Sequence, residues 1–249
     1  NSCKSTPEGL INLKSGKRVA AVVPVHVFGH PMAIDEVNKI CAEFGVALVE
    51  DAAEGVGSKW NGRHLGTFAQ LGILSFNGNK ILTTGGGGMI LTNDPDLAKR
   101  AKHITTTARV PGLDYYHDQI GFNYRMPNVN AALGCAQLEY LEKIVANKVE
   151  TAALYEKFFN QLNIPFVTSV TGARSNYWLN AILLKNQTER DEFLKYFIEK
   201  KIFVRPAWRQ LNQLPMFSHC QTDDLEVTSN ICARLVNLPS SYRHQAVKV

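Results

Sequence analysis

Apolar and polar residues alternate along the first half of the chain in blocks that predict strands followed by helices. An apolar run over 18–26 predicts a buried strand, amphipathic spacing over 33–44 predicts a helix, and 46–50 predicts the next strand. A further helix is predicted over 94–104, after a strand-like segment that follows a run of four glycines. Strands that alternate with helices in this way are typical of parallel βα units.

The pattern changes in the second half of the chain. From Asn128, apolar residues at helical spacing predict one long helix that runs toward Phe159 and joins two domains. Beyond Asn163, strands and helices alternate at shorter intervals, with predicted elements over 177–184, 189–200, 202–205 and 225–235. We therefore predict a large α/β domain over residues 1–150 and a smaller α+β domain over residues 151–249.

Composition indicates an ordinary globular enzyme. The 249 residues are 45% hydrophobic, which is enough to bury a substantial core. The net charge of +5 is spread along the chain, which argues against a nucleic-acid surface but favours anionic cofactors and substrates. No apolar run approaches the length of a membrane span, and the first residues do not resemble a signal peptide. We therefore expect a cytoplasmic protein without a membrane partner.

One lysine is the leading candidate for catalysis. Lys80 ends the run Leu-Ser-Phe-Asn-Gly-Asn-Lys, Ser75 lies within that run, and Asp51 follows the apolar residues 46–49. A pyridoxal phosphate site needs an amine for the carbonyl carbon, a carboxylate against the pyridinium nitrogen and hydroxyl donors for the phosphate. Lys80, Asp51 and Ser75 carry these three groups, and they come in the order Asp51, Ser75, Lys80 along strand-like segments.

Each of these features also has a purely structural interpretation. A lysine near glycine is usually a solvated turn residue, and an acid after a strand is usually a terminator or a cap. The glycines could form a phosphate-binding loop, but that motif needs a lysine and a serine or threonine directly after them, and here Met89 opens a strand-like run. His26 and His30 have a zinc-like spacing, but Gly29 and Pro31 argue against a helix, so we predict no metal site.

Four stretches together carry a resemblance to a known family. The chain resembles the sugar aminotransferases of the DegT/DnrJ/EryC1/StrS family, which are pyridoxal-phosphate enzymes of the aspartate aminotransferase fold. The matching stretches, which lie in order over most of the chain, are Val23–Pro31, Glu50–Glu54, Ser75–Lys80 and Gly121–Pro127. The resemblance implies fold type I, with a mixed, mostly parallel sheet flanked by helices and a smaller C-terminal α+β domain.

The resemblance also implies roles for five residues. Lys80 is the implied Schiff-base lysine and proton carrier, Asp51 the pyridinium partner and Ser75 a phosphate ligand. Glu54 stands beside the ring, where the family commonly has glutamine or histidine, and an ionised glutamate cannot donate a hydrogen bond to the ring hydroxyl. Asn123 matches an asparagine that reaches the cofactor phosphate of the neighbouring subunit, which implies a homodimer with shared sites.

The finer resemblance concerns the substrate. The combination of motifs is most similar to enzymes that form UDP-4-amino-4,6-dideoxy-N-acetylglucosamine for bacillosamine and legionaminic acid pathways. It implies transfer of an amino group from glutamate to the C4 ketone of a UDP-4-keto-6-deoxy-N-acetylhexosamine.

Two other functions stay open. Related sugar dehydratases replace the Schiff-base lysine with histidine, and Lys80 argues against that reading. A noncatalytic binding or regulatory protein of the same fold is the second alternative. It gains support because family members carry an N-terminal portion before the segment of His26, with a phosphate-binding turn and a ring-stacking residue, and we find neither in this sequence. We therefore expect the N-terminal part of the large domain to be missing.

Overall fold

A computed structural model describes residues 2–243. The strands and helices, numbered in chain order, are β1 (Cys3–Thr6), β2 (Gly9–Asn12), β3 (Ala21–Val22), α1 (Ile34–Glu43), β4 (Ala47–Asp51), β5 (Lys59–Trp60), β6 (Arg63–His64), β7 (Leu71–Ser75), β8 (Gly88–Leu91), α2 (Pro95–Thr105), α3 (Asn128–Leu138), α4 (Leu141–Gln161), β9 (Ala173–Arg174), β10 (Asn180–Leu183), α5 (Gln187–Glu199), β11 (Arg205–Pro206), α6 (Glu226–Arg234) and β12 (Leu235–Leu238). Single turns of 3-10 helix lie at Val27–Gly29, Leu211–Gln213 and Pro215–Phe217.

The chain divides into two compact units. The first contains the residues up to Val145 together with Ser169–Trp178, and the second contains Ala146–Thr168 and the residues from Leu179 onward. The division predicted at residues 150 and 151 remains a prediction. No helix in the described part of the chain is long and apolar enough to cross a membrane.

A four-stranded sheet organises the first unit. Its strand order is β3-β4-β7-β8, in which β3, β4 and β7 are parallel and β8 is antiparallel to β7. Helix α1 buries Ile34 and Cys41 against the sheet, where they join Leu48 and Trp60 in one apolar cluster. Gly88 lets β8 approach β7, because a Cβ atom there would lie 2.5 Å from the carbonyl oxygen of Leu74.

The second unit has its own antiparallel sheet, in the order β10-β12-β11. Ala181 and Ile182 of β10 and Val236 of β12 are fully buried, so this sheet has an apolar core. The α+β character predicted for the end of the chain is confirmed by these strands and by helices α5 and α6.

Most predicted helices are confirmed within two residues, and their end signals explain why. Asp94 accepts hydrogen bonds from the backbone N–H groups of Asp96 (2.8 Å) and Leu97 (3.0 Å), with Pro95 as the first residue of α2. Helix α1 ends where Gly45 adopts a left-handed φ of 61° and the Val46 N–H donates to Cys41 at 2.9 Å.

Four sequence-based predictions were wrong in their extent. The strand predicted over 18–26 is limited to Ala21–Val22, and Pro24, which has no N–H, contributes only its carbonyl oxygen to the sheet, accepting the Asp51 N–H at 2.9 Å. The single helix predicted from Asn128 is two helices, because a turn in which the Tyr140 N–H donates to Gln137 at 3.1 Å separates α3 from α4.

Two further predicted strands were also wrong in extent. The strand predicted over 177–184 is limited to Asn180–Leu183. The last is the strand predicted over 202–205. In the structure this strand is Arg205–Pro206, and the preceding residues complete the end of helix α5. Lys201 adopts a left-handed φ of 60°, and the Ile202 N–H donates to the Phe197 carbonyl at 2.9 Å. This is the hydrogen-bonding pattern of a Schellman motif, in which a left-handed residue terminates the helix.

Candidate functional site

Two adjacent parallel strands carry the first candidate residues to one edge of the sheet. Asp51 ends β4 and lies opposite Ile73 of β7, and Ser75 ends β7 two residues farther on. Asp51 is also held from the other side, because its carbonyl accepts the His26 N–H at 3.1 Å. Carboxyl ends of parallel strands are where open α/β sheets bind ligands, so Asp51 and Ser75 occupy the expected edge.

Asp51 and Ser75 retain hydrogen-bonding capacity at this edge. Oδ1 of Asp51 accepts the Ala53 N–H at 3.0 Å, and among the described residues Oδ2 accepts no hydrogen bond. The Ser75 hydroxyl oxygen accepts the Asn77 N–H at 3.4 Å, which leaves its hydrogen as a donor. A carboxylate and a hydroxyl donor therefore lie side by side on neighbouring strands.

Lys80 lies in a closed loop directly after β7. The Lys80 N–H donates to the Asn77 carbonyl at 3.0 Å, and the Thr84 N–H donates to the Phe76 carbonyl at 3.0 Å, which closes the loop at its base. Phe76 and Leu82 on either side of the lysine are buried and share an apolar cluster with Val56. The lysine therefore sits on a turn whose two ends are anchored in the core.

Glu54 connects Lys80 to the chain after β3. One carboxylate oxygen, Oε2, accepts the Phe28 N–H at 2.6 Å, and the other, Oε1, lies 3.6 Å from the Lys80 amine. Burial raises the pKa of Glu54, while the Phe28 hydrogen bond and the Lys80 charge act to lower it and the charge of Asp51 raises it further. The net pKa of Glu54 lies above its usual range.

Trp178 covers the same amine from another direction. Its ring centroid lies 3.9 Å from Lys80 Nζ, and its indole N–H donates to the Asn79 carbonyl at 2.6 Å. The side chain of Asn176 is fully buried next to it and donates to the carbonyl oxygens of Glu54 (2.7 Å) and Val56 (2.8 Å). The segment at 176–178 therefore ties the glutamate and the lysine into one cluster.

Two residues of this cluster have unusual backbone angles. Phe28 has a φ of 60°, and Tyr177 has a φ of 47°. Left-handed angles at aromatic residues are uncommon, persist only where the surroundings enforce them, and often occur at functional sites. At Phe28 the angle accompanies the N–H contact with Glu54, and at Tyr177 it accompanies the turn that leads into Trp178.

A buried polar network supports the strand behind Asp51. Glu50 is fully buried, and its carboxylate accepts hydrogen bonds from His26 Nε2 (3.0 Å) and from the backbone N–H groups of Phe68 (2.9 Å) and Gly66. Because His26 Nδ1 accepts the Met32 N–H at 3.3 Å, the ring hydrogen of the neutral imidazole lies on Nε2. Burial acts to raise the pKa of Glu50, but these hydrogen bonds lower it to below its usual range.

The five residues singled out in the sequence do not all meet. Asp51, Glu54, Ser75 and Lys80 belong to the sheet edge and the loops beside it, whereas Asn123 is exposed and forms a backbone bridge with Thr106. The roles assigned to these residues by resemblance remain predictions. Among the described residues, no group of three or more His, Cys, Asp or Glu side chains could hold a metal ion.

Three further residues of the cluster were missed in the sequence. In the sequence, Trp178 lies within the strand predicted over 177–184, Asn176 lies outside every predicted element, and Phe28 lies within one of the matching stretches. The contact between Lys80 and Trp178 joins residues almost a hundred positions apart, and no local sequence pattern predicts it. The buried polar Asn176 is the kind of residue that a homologue alignment could have identified.

The arrangement suits a ligand that has a reactive carbonyl group and an anionic part. The lysine amine can bind a carbonyl carbon, the aspartate carboxylate can hold a protonated ring nitrogen, and the serine hydroxyl can donate to a phosphate oxygen. These three groups are the ones that pyridoxal phosphate requires from its protein. The residues present at the sheet edge therefore fit this cofactor.

Comparison with known proteins gives curated sequence relatives above 30% identity. GDP-perosamine synthase of Escherichia coli O157:H7 is 34% identical over 92% of this chain and 63% of its own length. EpsN of Bacillus subtilis (strain 168), a protein assigned as a pyridoxal phosphate-dependent aminotransferase, is 35% identical over 89% of this chain and 58% of its own length. The chain thus spans about 60% of the length of these curated relatives.

A solved structure agrees with the fold. PseC of Helicobacter pylori, described as an aminotransferase involved in the biosynthesis of pseudoaminic acid, superimposes with a TM-score of 0.87 over 92% of this chain and 63% of its own. At 22% identity this likeness concerns the fold, and it confirms the predicted fold type I architecture. Residues 5–247 match the family described as DegT/DnrJ/EryC1/StrS aminotransferases. With a match over nearly its whole length and relatives above 30% identity, the chain belongs to this family of pyridoxal phosphate enzymes.

Proposed function

We propose that this chain carries the cofactor site of a pyridoxal-phosphate-dependent nucleotide-sugar aminotransferase. The observation that carries the proposal is the position of the Lys80 amine, on a core-anchored loop beside the strands that end in Asp51 and Ser75. Family membership supports the same reaction class. Because the chain spans only part of its relatives, the activity of the whole protein is inferred here.

The cofactor supplies an aldehyde carbon and a ring that, when protonated, accepts the electron pair released as a C–H bond of the amino compound breaks. In the proposed site Lys80 would hold the cofactor through its amine and would carry a proton at Nζ. Asp51 would place its carboxylate against the protonated ring nitrogen. The Ser75 hydroxyl would donate to the phosphate.

Glu54 and Asn123 complete the proposed contacts. Glu54 lies 3.6 Å from the Lys80 amine, and burial raises the pKa of its carboxyl. Only the protonated carboxyl can donate a hydrogen bond to a ring hydroxyl. Asn123 is exposed, which is consistent with a contact to the phosphate bound by a second copy of the chain. A homodimer with shared sites follows from that role.

We further propose that glutamate donates the amino group to the C4 ketone of a UDP-4-keto-6-deoxy-N-acetylhexosamine. Resemblance of motifs supports this substrate. A specific observation favours a second candidate, because the relatives named GDP-perosamine synthases from Escherichia coli O157:H7 and Vibrio cholerae are 34% and 33% identical to this chain. In that case the acceptor carries GDP in place of UDP.

Paired substrates test the proposal. The protein is incubated with pyridoxal phosphate, glutamate and either a UDP-linked or a GDP-linked 4-keto-6-deoxy sugar. The mass of the nucleotide sugar is then measured by mass spectrometry. Amination of the UDP sugar supports the first candidate, and amination of the GDP sugar alone transfers the proposal to the second. The Lys80→Ala variant is the control and should aminate neither. Absence of amination together with absence of cofactor attachment to Lys80 would favour the noncatalytic alternative.

A further inference from the structure

Trp178 makes two contacts with the loop that carries Lys80. The face of its indole lies 3.9 Å, centroid to Nζ, from the lysine amine, and its ring N–H donates to the carbonyl of Asn79 at 2.6 Å. Trp178 is 5% exposed, and the lysine side chain is 13% exposed. A tryptophan face is the strongest of the aromatic partners for a cation, and the attraction grows when water is excluded.

The position of the tryptophan is itself fixed. Its backbone N–H donates to Oδ1 of Asn176 at 2.7 Å, and the amide nitrogen of Asn176 donates to the carbonyl oxygens of Glu54 and Val56. Tyr177, between them, keeps a left-handed φ of 47°. A backbone angle of this kind is maintained only where neighbouring contacts require it, so the segment at 176–178 is rigid.

We propose that Trp178 is a positioning residue for Lys80, which holds the turn at Asn79 through its ring N–H and holds the amine against its ring face, while Oε1 of Glu54 lies 3.6 Å from the same amine. This inference rests on the proposed function only for its catalytic meaning, since the contacts involve only residues of the chain itself. The ring face contacts the amine and shields it from water. The amine therefore stays at one place until a carbonyl compound reaches it.

The physical consequence concerns the reactivity of the free amine. Only an unprotonated and accessible amine attacks an acylating reagent. Removal of the ring face removes the contact that holds the amine and exposes Nζ, so Lys80 should react faster. We expect an increase of about 3- to 30-fold, the range that a partly desolvated contact between a cation and an aromatic ring supplies.

The test is competitive acetylation of the protein without cofactor. Trace acetic anhydride is added, and the peptides with Lys80 and with the exposed Lys39 are quantified by mass spectrometry, so that Lys39 is an internal reference. Trp178→Leu should raise the ratio of Lys80 to Lys39 labelling, and Trp178→Phe, which keeps a ring face, should stay within about threefold of the unmodified protein. Trp208→Leu, in the other unit, is the matched control and should leave the ratio unchanged.

Two outcomes would overturn the inference. One is a ratio in Trp178→Leu within twofold of the unmodified protein, and the other is an equal increase in Trp178→Phe and Trp178→Leu, which would indicate general loosening of the loop. If Trp178→Leu does not fold by circular dichroism, the Phe variant still decides, because phenylalanine keeps a ring face but lacks the indole N–H that donates to Asn79. Loss of the hydrogen bond to Asn79 should then make borohydride-trapped pyridoxal phosphate on Lys80 form more slowly, and an unchanged rate would contradict the role.

The acetylation result separates this inference from the proposed function. A changed labelling ratio with no attachment of pyridoxal phosphate to Lys80 would keep the positioning contact and reject the aminotransferase. An unchanged ratio with efficient attachment would do the reverse. If both hold, Trp178→Leu should lower kcat for amination more than it raises KM for the sugar, because the displaced group is the lysine amine and the sugar contacts are retained.

Discussion

Asn176→Ala is the substitution that tests the packing of the site most severely. The side chain of Asn176 is completely buried and forms three hydrogen bonds, two as donor to the carbonyl oxygens of Glu54 and Val56 and one as acceptor from the Trp178 N–H, at 2.7, 2.8 and 2.7 Å. Alanine removes all three at once. No water can replace them without entering a buried space.

The expected loss of stability can be worked out from these contacts. Each intramolecular hydrogen bond contributes about 1 kcal/mol net, and a buried group left without a partner costs about 1–3 kcal/mol. Three lost bonds therefore lower the free energy of unfolding by about 3 kcal/mol at least. For a chain of this size about 1 kcal/mol shifts Tm by roughly 2–4 °C, so Tm should fall by about 6–12 °C.

Thermal unfolding followed by circular dichroism measures this shift. The matched control is Asn38→Ala, because Asn38 is exposed on helix α1 and alanine favours helices. Its Tm should change by less than about 2 °C, as is usual for a surface substitution. A fall of less than about 2 °C for Asn176→Ala would refute the reasoning, since it would mean that the three hydrogen bonds contribute almost nothing.

Three other substitutions test other parts of the account. Gly72→Ala should prevent normal folding, because the added Cβ would lie 1.9 Å from the carbonyl oxygen of Gly66, whereas Gly112→Ala, which meets nothing within 4 Å, should fold and elute normally in size-exclusion chromatography. The pKa of Glu50 is lowered in the folded protein, so its contribution to stability is present above the ordinary carboxyl pKa and is lost as pH falls through the folded value. Glu50→Gln should therefore be less stable than the unmodified protein at pH 7 and should lose less stability on acidification, as measured by urea unfolding. Equal dependence of stability on pH in the two proteins would reject this reasoning. Asp51→Asn should keep the cofactor but lower kcat by about 10²-fold or more, because a neutral amide no longer favours the protonated ring, and an unchanged kcat would exclude that role.

The fold could be predicted wherever the signal was local. Asp94 and Pro95 indicate the start of helix α2, and Gly45 marks the end of α1. Two other helices end in the same way without glycine, at Asn163 (φ 55°) and Lys201 (φ 60°). A lysine does not indicate a left-handed backbone angle, so the predicted strand over 202–205 began in the residues that complete the end of helix α5.

The residues of the candidate site likewise divide into those that a local sequence pattern indicates and those that only tertiary packing brings together. Asp51 and Ser75 could be identified because each follows an apolar, strand-like run, and Lys80 because it comes five residues after Ser75 and the three residue types suit one cofactor. Trp178 and Asn176 could not, because their partners are decided by tertiary packing across about a hundred residues. The pairing of Glu54 with Lys80 likewise depends on the loop that closes at Phe76 and Thr84.

The most direct test of the central claim is chemical trapping of the cofactor. The protein, and any longer natural form of it, is mixed with pyridoxal phosphate and reduced with borohydride, and the modified peptide is mapped by mass spectrometry beside the Lys80→Ala variant. The account predicts a pyridoxyl group on Lys80 and none at this peptide in the variant. Label spread over exposed lysines, with none on Lys80 in any form, would contradict the account.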